Sequence, residues 1–388
     1  MGPEPKDEYV RSFDDFTLPG FWQNPFPFYQ RSFENADRIQ TSPGGGIAVL
    51  GYDDCRAIGL HPAVDGTPLP PIETEEPQLQ TVLRHGVFAQ IQPDHRLYRK
   101  AALSGLNHSS IKEFAPRALD LTDRLLARSQ GQPVDLVTDV CLTLAAECWA
   151  EFSGYGKARA TALLDDIHIA GQQLSFDADP AQAVAGEEAA ASLLSLSAQA
   201  ISGNHTCPVR RMSDALGKAK GVPMVTSLLF DAIDTTAAAL AGVLAVLMNS
   251  IDELDLLKDR ALRDDAIEEA LRLATPTPFT IRQAREDVTI ADVDFQAGTL
   301  VWMWWSAANR DPDVFAAPDS FIMGRGTQAL PFGIGPHTCI GHGWTKQLAH
   351  ILVERALTGP RRLRPLAENW GWKIGGARRP DGLIVRMS

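Results

Sequence analysis

Cys339 stands in a glycine-dense loop, Phe332-Gly333-Ile334-Gly335-Pro336-His337-Thr338-Cys339-Ile340-Gly341, just before a run at 344–357 whose periodicity predicts a helix. Glycines let backbone amides approach a sulfur, and a helix N-terminus favours an anion, so the sulfur is expected as a thiolate. A phosphate-binding loop fits less well, because GxGxxG spacing and a Walker lysine are both missing. A buried inert cysteine would leave the glycines unexplained. Asp234 and Thr235 set a carboxylate beside a hydroxyl inside an apolar segment, which suits a proton relay. The competing reading has Thr235 bonding a backbone carbonyl in a bent helix and Asp234 pairing with a surface base. Glu269 and Arg272, three apart, share one helical face and can form a charge-assisted pair, although such pairs also arise by chance on solvated helices. His95 and Arg99, four apart, also share a face; singly, each would more often be a core histidine or a surface charge.

These residues need elements to hold them. The chain has 388 residues, 45% of them hydrophobic and 22% charged, which is ordinary globular composition. Thirty-six Lys and Arg against 48 Asp and Glu leave a net charge of −12, which argues against binding nucleic acid or an anionic membrane. Five scattered cysteines (Cys55, Cys141, Cys148, Cys207, Cys339) offer no CxxC or zinc spacing. No secretory signal is legible, so the cytoplasm is the expected compartment. A β-like run, Ile47 to Tyr52, precedes a proline-rich stretch, His61 to Pro77, read as a surface loop near a site. From 94 to 200 the pattern is mostly helical, with breaks expected at Pro116, Gly131 to Pro133, Gly154 to Gly156 and Asp179-Pro180, and a long helix around 182–201. Residues 222–249 are the most apolar segment. Asp231 and Asp234 inside it argue for a buried helix rather than a membrane span. A helix at Asp264 to Ala274 and strands at Thr289 to Phe295 and Thr299 to Trp305 complete the reading, with sheet pieces at the two ends of the sequence.

Taken together, the motifs resemble the cytochrome P450 family. Phe332, Gly335, His337, Cys339 and Gly341 match its FxxGxxxCxG signature with a basic residue two before the cysteine. Glu269 and Arg272 match its ExxR pair, about 70 residues upstream of the cysteine. There the pair braces the coil carrying the cysteine, usually with an Arg or His before a Phe. Here Ser320 precedes Phe321, so that triad is incomplete, and Arg325 is the candidate substitute. Asp231-Ala232-Ile233-Asp234-Thr235-Thr236 resembles [AG]-G-x-[DE]-T-[TS], with Asp231 and Ala232 in place of the usual small residue and glycine. The segment from Gln92 to Arg99 resembles the bacterial DPPxHxxxR pattern.

The resemblance implies a mainly α fold with minor β: a single-domain triangular prism over 1–388, with haem between the long distal helix and the cysteine-loop helix. It implies haem b (iron protoporphyrin IX) as cofactor, Cys339 as its iron ligand, and His95, Arg99, Arg282 and His337 on the propionates. Asp234 and Thr235 would be catalytic, and Glu269 and Arg272 structural. The implied activity is a monooxygenase that inserts one atom of O2 into a small to medium, largely apolar organic substrate. Electrons would come from separate proteins, a ferredoxin and ferredoxin reductase, with no nucleic acid and no membrane anchor. Residues 340–388 hold nine Lys or Arg against three acids, a local +6 that with Lys100 and Lys112 could dock an acidic redox protein. Family geometry lines the substrate cavity with Phe88, Ser227, Phe230, Asp231, Thr277 and Phe279. Asp231 could anchor an amine or hydroxyl of the substrate, join the proton route, or turn away to solvent. Two rivals are a hydrogen-peroxide-driven peroxygenase, whose members usually lose the acid–alcohol pair, and a non-enzymatic haem sensor or carrier, which would not need it.

Overall fold

A computed structural model of the chain describes residues 11–12, 20–21, 23–41, 46–69, 77–128, 131–173, 179–203, 207–359, 363–366, 370–374 and 377–387. Its axis is the helix Lys218–Ser250, 33 residues and about 50 Å long at 1.5 Å per residue. This helix is apolar on nearly every side, and a helix of that kind must be buried all round. It packs against helices Thr143–Phe152, Pro180–Gly203, Pro208–Asp214, Arg260–Ala274 and His342–Leu357. By length and composition alone it could cross a membrane, but 67% of its most apolar window is buried within the protein. Gly242 lets a neighbouring helix approach, since a Cβ there would lie 2.7 Å from the Ala274 methyl.

The main sheet is built from both halves of the chain. Its six strands run in the order Arg11–Ser12, Ile39–Thr41, Ile47–Val49, Leu300–Met303, Thr280–Ala284 and Val64–Asp65. Ile47 pairs in parallel with Val301, and Asp65 lies antiparallel to Gln283, one residue from Arg282. An edge strand from the proline-rich stretch is thereby brought to the strand that carries a site residue. The expected surface loop at 61–77 is thus a buried strand in its first part, with Val64 and Asp65 both buried; its 70–76 portion lies outside the described residues.

Four expectations are corrected in detail. Pro116 does not break its helix, which runs unbroken from His108 to Arg128. The expected strand 289–295 is two short strands, Val288–Ile290 and Val293–Phe295, turning at Ala291 and Asp292, whose φ angles are +52° and +59°. The run from Ile47 is a strand only to Val49, because a helix opens at Tyr52. The strands expected between 289 and 305 are accompanied by two that the sequence pattern does not announce, Pro133–Asp135 and Thr280–Ala284.

The long coil between the sheet and the cysteine helix needs a scaffold, and the helix Arg260–Ala274 supplies it. Arg272, 1% exposed, meets Glu269 through Nε and Nη2, each at 2.8 Å, and its remaining N–H groups reach the carbonyls of Asn309 (2.8 Å), Pro318 (2.7 Å) and Ser320 (3.1 Å). Arg325 donates from Nε to Glu269 Oε1 at 2.8 Å and caps the carbonyls of Ala316, Ala317 and Ser320. The amide of Ile322 donates to the same carboxylate oxygen at 3.0 Å. Burial alone would push the Glu269 acid up, but the bonds from Arg272, Arg325 and Ile322 hold it below its ordinary value. A lowered carboxylate stabilises the fold above its ordinary value of 4.5, and that contribution is lost as pH falls through the lowered value. Arg272→Ala leaves a buried carboxylate and three carbonyls short of donors, so it should cost about 3–5 kcal/mol in denaturant unfolding. A loss below about 1 kcal/mol would show that the brace is dispensable.

Candidate functional site

The cysteine loop is shaped by positions that only glycine suits. Gly333 and Gly335 have φ of +68° and +75°, and a Cβ on Gly335 would sit 2.3 Å from the Gly59 carbonyl oxygen. The Cys339 amide donates to the Phe332 carbonyl at 2.9 Å, closing the loop over the start of helix His342–Leu357. The amides of Gly341 and His342 point at the Cys339 sulfur. Burial nevertheless pushes the thiol above its ordinary value, with the Asp231 charge adding to it, and the two amides and Arg99 only partly offset this. The expectation that glycines and helix dipole alone hold a thiolate is therefore corrected. Desolvation wins here, and it takes a coordinated metal to deprotonate such a sulfur outright.

Across from the sulfur runs the middle of the long helix. Cys339 and Asp231 both keep exposed surface, so a cavity opens between the two helices there. Burial raises the Asp231 acid to about 7. The Thr235 hydroxyl donates to the Asp231 backbone carbonyl. Asp234 turns to the other side, where its Oδ1 lies 3.2 Å from His168 Nε2 and 3.7 Å from the Arg379 guanidinium. Those contacts match the competing reading in their geometry: a carbonyl-bonded threonine and an acid paired with a base. Burial would raise the Asp234 acid, but His168 and Arg379 hold it below its ordinary value, and His168 is raised in return, mainly by its bond to Asp234. Thr236, the second alcohol, lies 3.4 Å from Thr345 Oγ1 and couples the long helix to the cysteine helix.

A third group lines the edge of the cavity. His337 Nε2 donates to Asp65 Oδ1 at 2.6 Å, and the His337 ring lies against the His95 ring at 3.9 Å between centroids. His95 is 2% exposed and its Nε2 has no partner, while its Nδ1 meets Gln92 at 3.1 Å. Arg99 donates to the Thr338 carbonyl at 2.6 Å, tying its helix to the cysteine loop. Burial lowers the Arg282 guanidinium to about 10 and, with the nearby His337 charge, lowers His95 to about 4; His337 and Arg99 are lowered too, chiefly by burial. Asp65 is desolvated as well, but the His337 bond and the amides of Gln92 and Gly66 hold it at about 2. Four basic side chains thus gather around one carboxylate, and one buried imidazole nitrogen is orphaned. That donor set fits a haem, whose two propionates would supply the missing anions and whose iron would meet the sulfur.

The structure brings His95, Arg99, Arg282, His337 and Cys339 together, with Asp231 and Thr235 facing them. Ser227 is fully buried with an unpartnered Oγ, and Phe88 is 42% exposed beside it; a Cβ on Gly86 would meet both, at 2.7 Å and 2.4 Å. Phe230 is half-buried between two apolar clusters, and Thr277 is half-buried in the turn before strand Thr280–Ala284. Phe279 is a correction: its ring packs on Trp302 and Trp304, at 5.2 and 4.7 Å, in an aromatic cluster with Phe21 and Tyr29. The expected basic face is also thinner than its count. Lys346, Arg355 and Lys373 are ion-paired with Glu268, Asp123 and Asp381, and Arg378 is buried with its guanidinium on the Ala274 carbonyl. Sequence reasoning missed Asp65, His168 and Arg379. For Asp65 the signal was its place in the loop flagged as near a site; for the other two there was none.

Comparisons with known proteins place the chain among relatives of one family and fold. Residues 214–358 match the family described as Cytochrome P450. The biotin biosynthesis cytochrome P450 of Bacillus subtilis is 27% identical over 352 residues, covering 87% of this chain and 89% of that protein. Cytochrome P450 107B1 of Saccharopolyspora erythraea is 30% identical over 279 residues, covering 68% and 67%. Among solved structures, P450BioI in complex with hexadec-9Z-enoic acid ligated acyl carrier protein superimposes with a TM-score of 0.85 at 25% identity, covering 95% of this chain and 100% of that one. CalO2 superimposes with a TM-score of 0.86 at 21% identity over 98% and 99%, a likeness of fold.

The His168–Asp234 contact has a definite pH signature. The raised imidazole contributes stability that is complete below its ordinary 6.5 and lost as pH rises through the raised value. The lowered carboxylate contributes above its ordinary 3.8 and loses that contribution as pH falls. Asp234→Asn should therefore bring the His168 titration, followed by NMR of its ring, to lower pH. An unmoved titration would mean that the pair does not form in solution.

Proposed function

The chain belongs to the cytochrome P450 family, and from that premise we propose that residues 1–388 work as one unit that oxidises a small to medium, largely apolar organic substrate. Membership makes the protein a monooxygenase, an oxidoreductase that carries haem iron, takes O2 and receives electrons from redox partners. The finer reading assigns haem b as the cofactor, a ferredoxin with its reductase as the electron source, and the cytoplasm as the compartment. The observation that carries the reading is the Cys339 sulfur with open surface, Asp231 and Thr235 across from it and four basic groups beside it.

When bound, the haem supplies the redox chemistry that cleaves O2, with thiolate ligation favouring the cleavage. The protein's share is placement and protons. Cys339 Sγ would hold the metal, and the Gly341 and His342 amides would donate hydrogen bonds to its negative charge. Arg99, Arg282, His95 and His337 hold the propionates, and Asp65 keeps His337 oriented. The His168 side chain, 39% exposed, keeps its proton to higher pH than an ordinary histidine and holds it against Asp234 Oδ1, a proton reserve open to solvent. Thr235 Oγ1, on the cavity face one position on, would pass its own proton inward and recover one from the Asp234 side once its bond to the Asp231 carbonyl opens. Acidic redox proteins would meet exposed Lys100 and Lys112, whereas Lys346, Arg355 and Lys373 have acids of their own. The peroxygenase and sensor readings are disfavoured by the presence of Asp234 and Thr235 themselves.

Two measurements test this. Reduced, carbon-monoxide-treated holoprotein should show the red-shifted Soret band of thiolate ligation, and Cys339→Ser should abolish it; a band in the imidazole position in the wild type would sink the assignment. With a substrate first found by its spin-state shift, O2, ferredoxin and reductase, Thr235→Ala should lower product per electron consumed by about 10²-fold while haem content stays unchanged. Product formed with hydrogen peroxide but not under the reductive regime would select the peroxygenase instead.

A further inference from the structure

We infer that Asp231 is an anchor for a positively charged nitrogen on the substrate, so that the oxidised molecule is an organic cation with an apolar remainder. The inference rests on the monooxygenase reading above and adds the substrate's charge to it.

Three observations lead there. Ser227, Asp231 and Thr235 recur every four residues on the long helix and so share one face. That face looks across the cavity, since the Asp231 charge is felt at the Cys339 sulfur. Secondly, the other carboxylates of the site have bases of their own: Asp65 has His337, Asp234 has His168 and Arg379, and Glu269 has Arg272 and Arg325. Among the described residues no side chain donates to the Asp231 carboxylate and no cation offsets its desolvation. A carboxylate that opens toward the site without a counter-ion has room to take one, and a cation beside it favours the charged form. Thirdly, the adjoining wall suits a cation. One turn from Asp231, the Ser227 Oγ is buried without a partner, and the half-open Phe88 ring closes on the same point beside Gly86. An aromatic ring and a carboxylate near one another attract a positive nitrogen.

Other uses of Asp231 predict different chemistry. As part of the proton route it would be indifferent to the substrate's charge. As an acid that merely stays protonated it would take neutral and cationic ligands alike. The geometry favours the anchor because the proton route already has an acid, Asp234, joined to a partly exposed base, whereas the Asp231 side chain meets no such base.

The test compares benzyltrimethylammonium with neopentylbenzene, its uncharged isostere, on the haem-loaded full chain. A quaternary nitrogen has no lone pair to give the iron, so its binding reports the protein wall alone. Affinities are read by the Soret spin-state shift and independently by equilibrium dialysis, without turnover. Asp231→Asn should weaken binding of the cation about 10-fold and leave that of neopentylbenzene unchanged. Equal weakening of both ligands, no weakening of the cation, or no cation binding to the wild type would overturn the anchor. If the Asn variant fails to take up haem, Asp231→Ala is judged by the same criterion. The carbon monoxide band is recorded on each sample: its absence from the wild type sinks the monooxygenase reading, whereas its presence with an indifferent Asp231 sinks only the anchor.

Discussion

A carboxylate with hardly any exposed surface, clasped by two guanidiniums, is what the rest of the site hangs from. Glu269 fixes Arg272 and Arg325, and those two arginines hold the carbonyls of Asn309, Ala316, Ala317, Pro318 and Ser320. Buried ion pairs add little net stability, because desolvation costs about as much as attraction returns. Their value here is geometric: a coil with few backbone partners of its own is given one path toward Cys339. Hydrogen bonding of the coil's carbonyls answers the demand that buried backbone groups be satisfied.

The same demand separates scaffold from site. Where a buried charge meets its complement, as in Glu269 with its two arginines, it has finished its work on folding. Where complements run short, something from outside is needed. At the cavity edge the shortage is of anions among the described residues: Arg282, His95 and His337 share Asp65, Arg99 reaches a carbonyl, and the His95 ring keeps an unused nitrogen. On the long helix the shortage is of a cation, at Asp231. Two unbalanced places of opposite sign thus border one cavity, the first where we propose that the cofactor sits and the second where we infer a cationic substrate.

What could be read in the sequence was whatever is encoded over short distances. Glycines around Cys339, the three-residue step from Glu269 to Arg272 and the apolar run of the long helix each declare themselves within a few turns. Arg325 was reachable because its chemistry, a guanidinium in the right coil, could replace a missing partner even at a shifted position. Asp65, His168 and Arg379 escaped because their partners lie far away in sequence, at His337 and Asp234, and only tertiary packing joins them. Phe279 was misplaced for a related reason: an aromatic residue just before a strand suits either face, and the packing against Trp302 and Trp304 decides which. Pro116 was overrated as a breaker, since an amphipathic helix held by packing tolerates a missing amide on its exposed face.

The main sheet sets a timetable for synthesis. Strand Ile47–Val49 leaves the ribosome early, yet the neighbour it pairs with in parallel, Leu300–Met303, follows about 250 residues later. Pairings so distant along the chain form slowly, and their open edges invite wrong partners in the interval. A nascent chain must therefore keep the first half of this sheet waiting, and the porphyrin slot can be finished only after nearly everything else has been made.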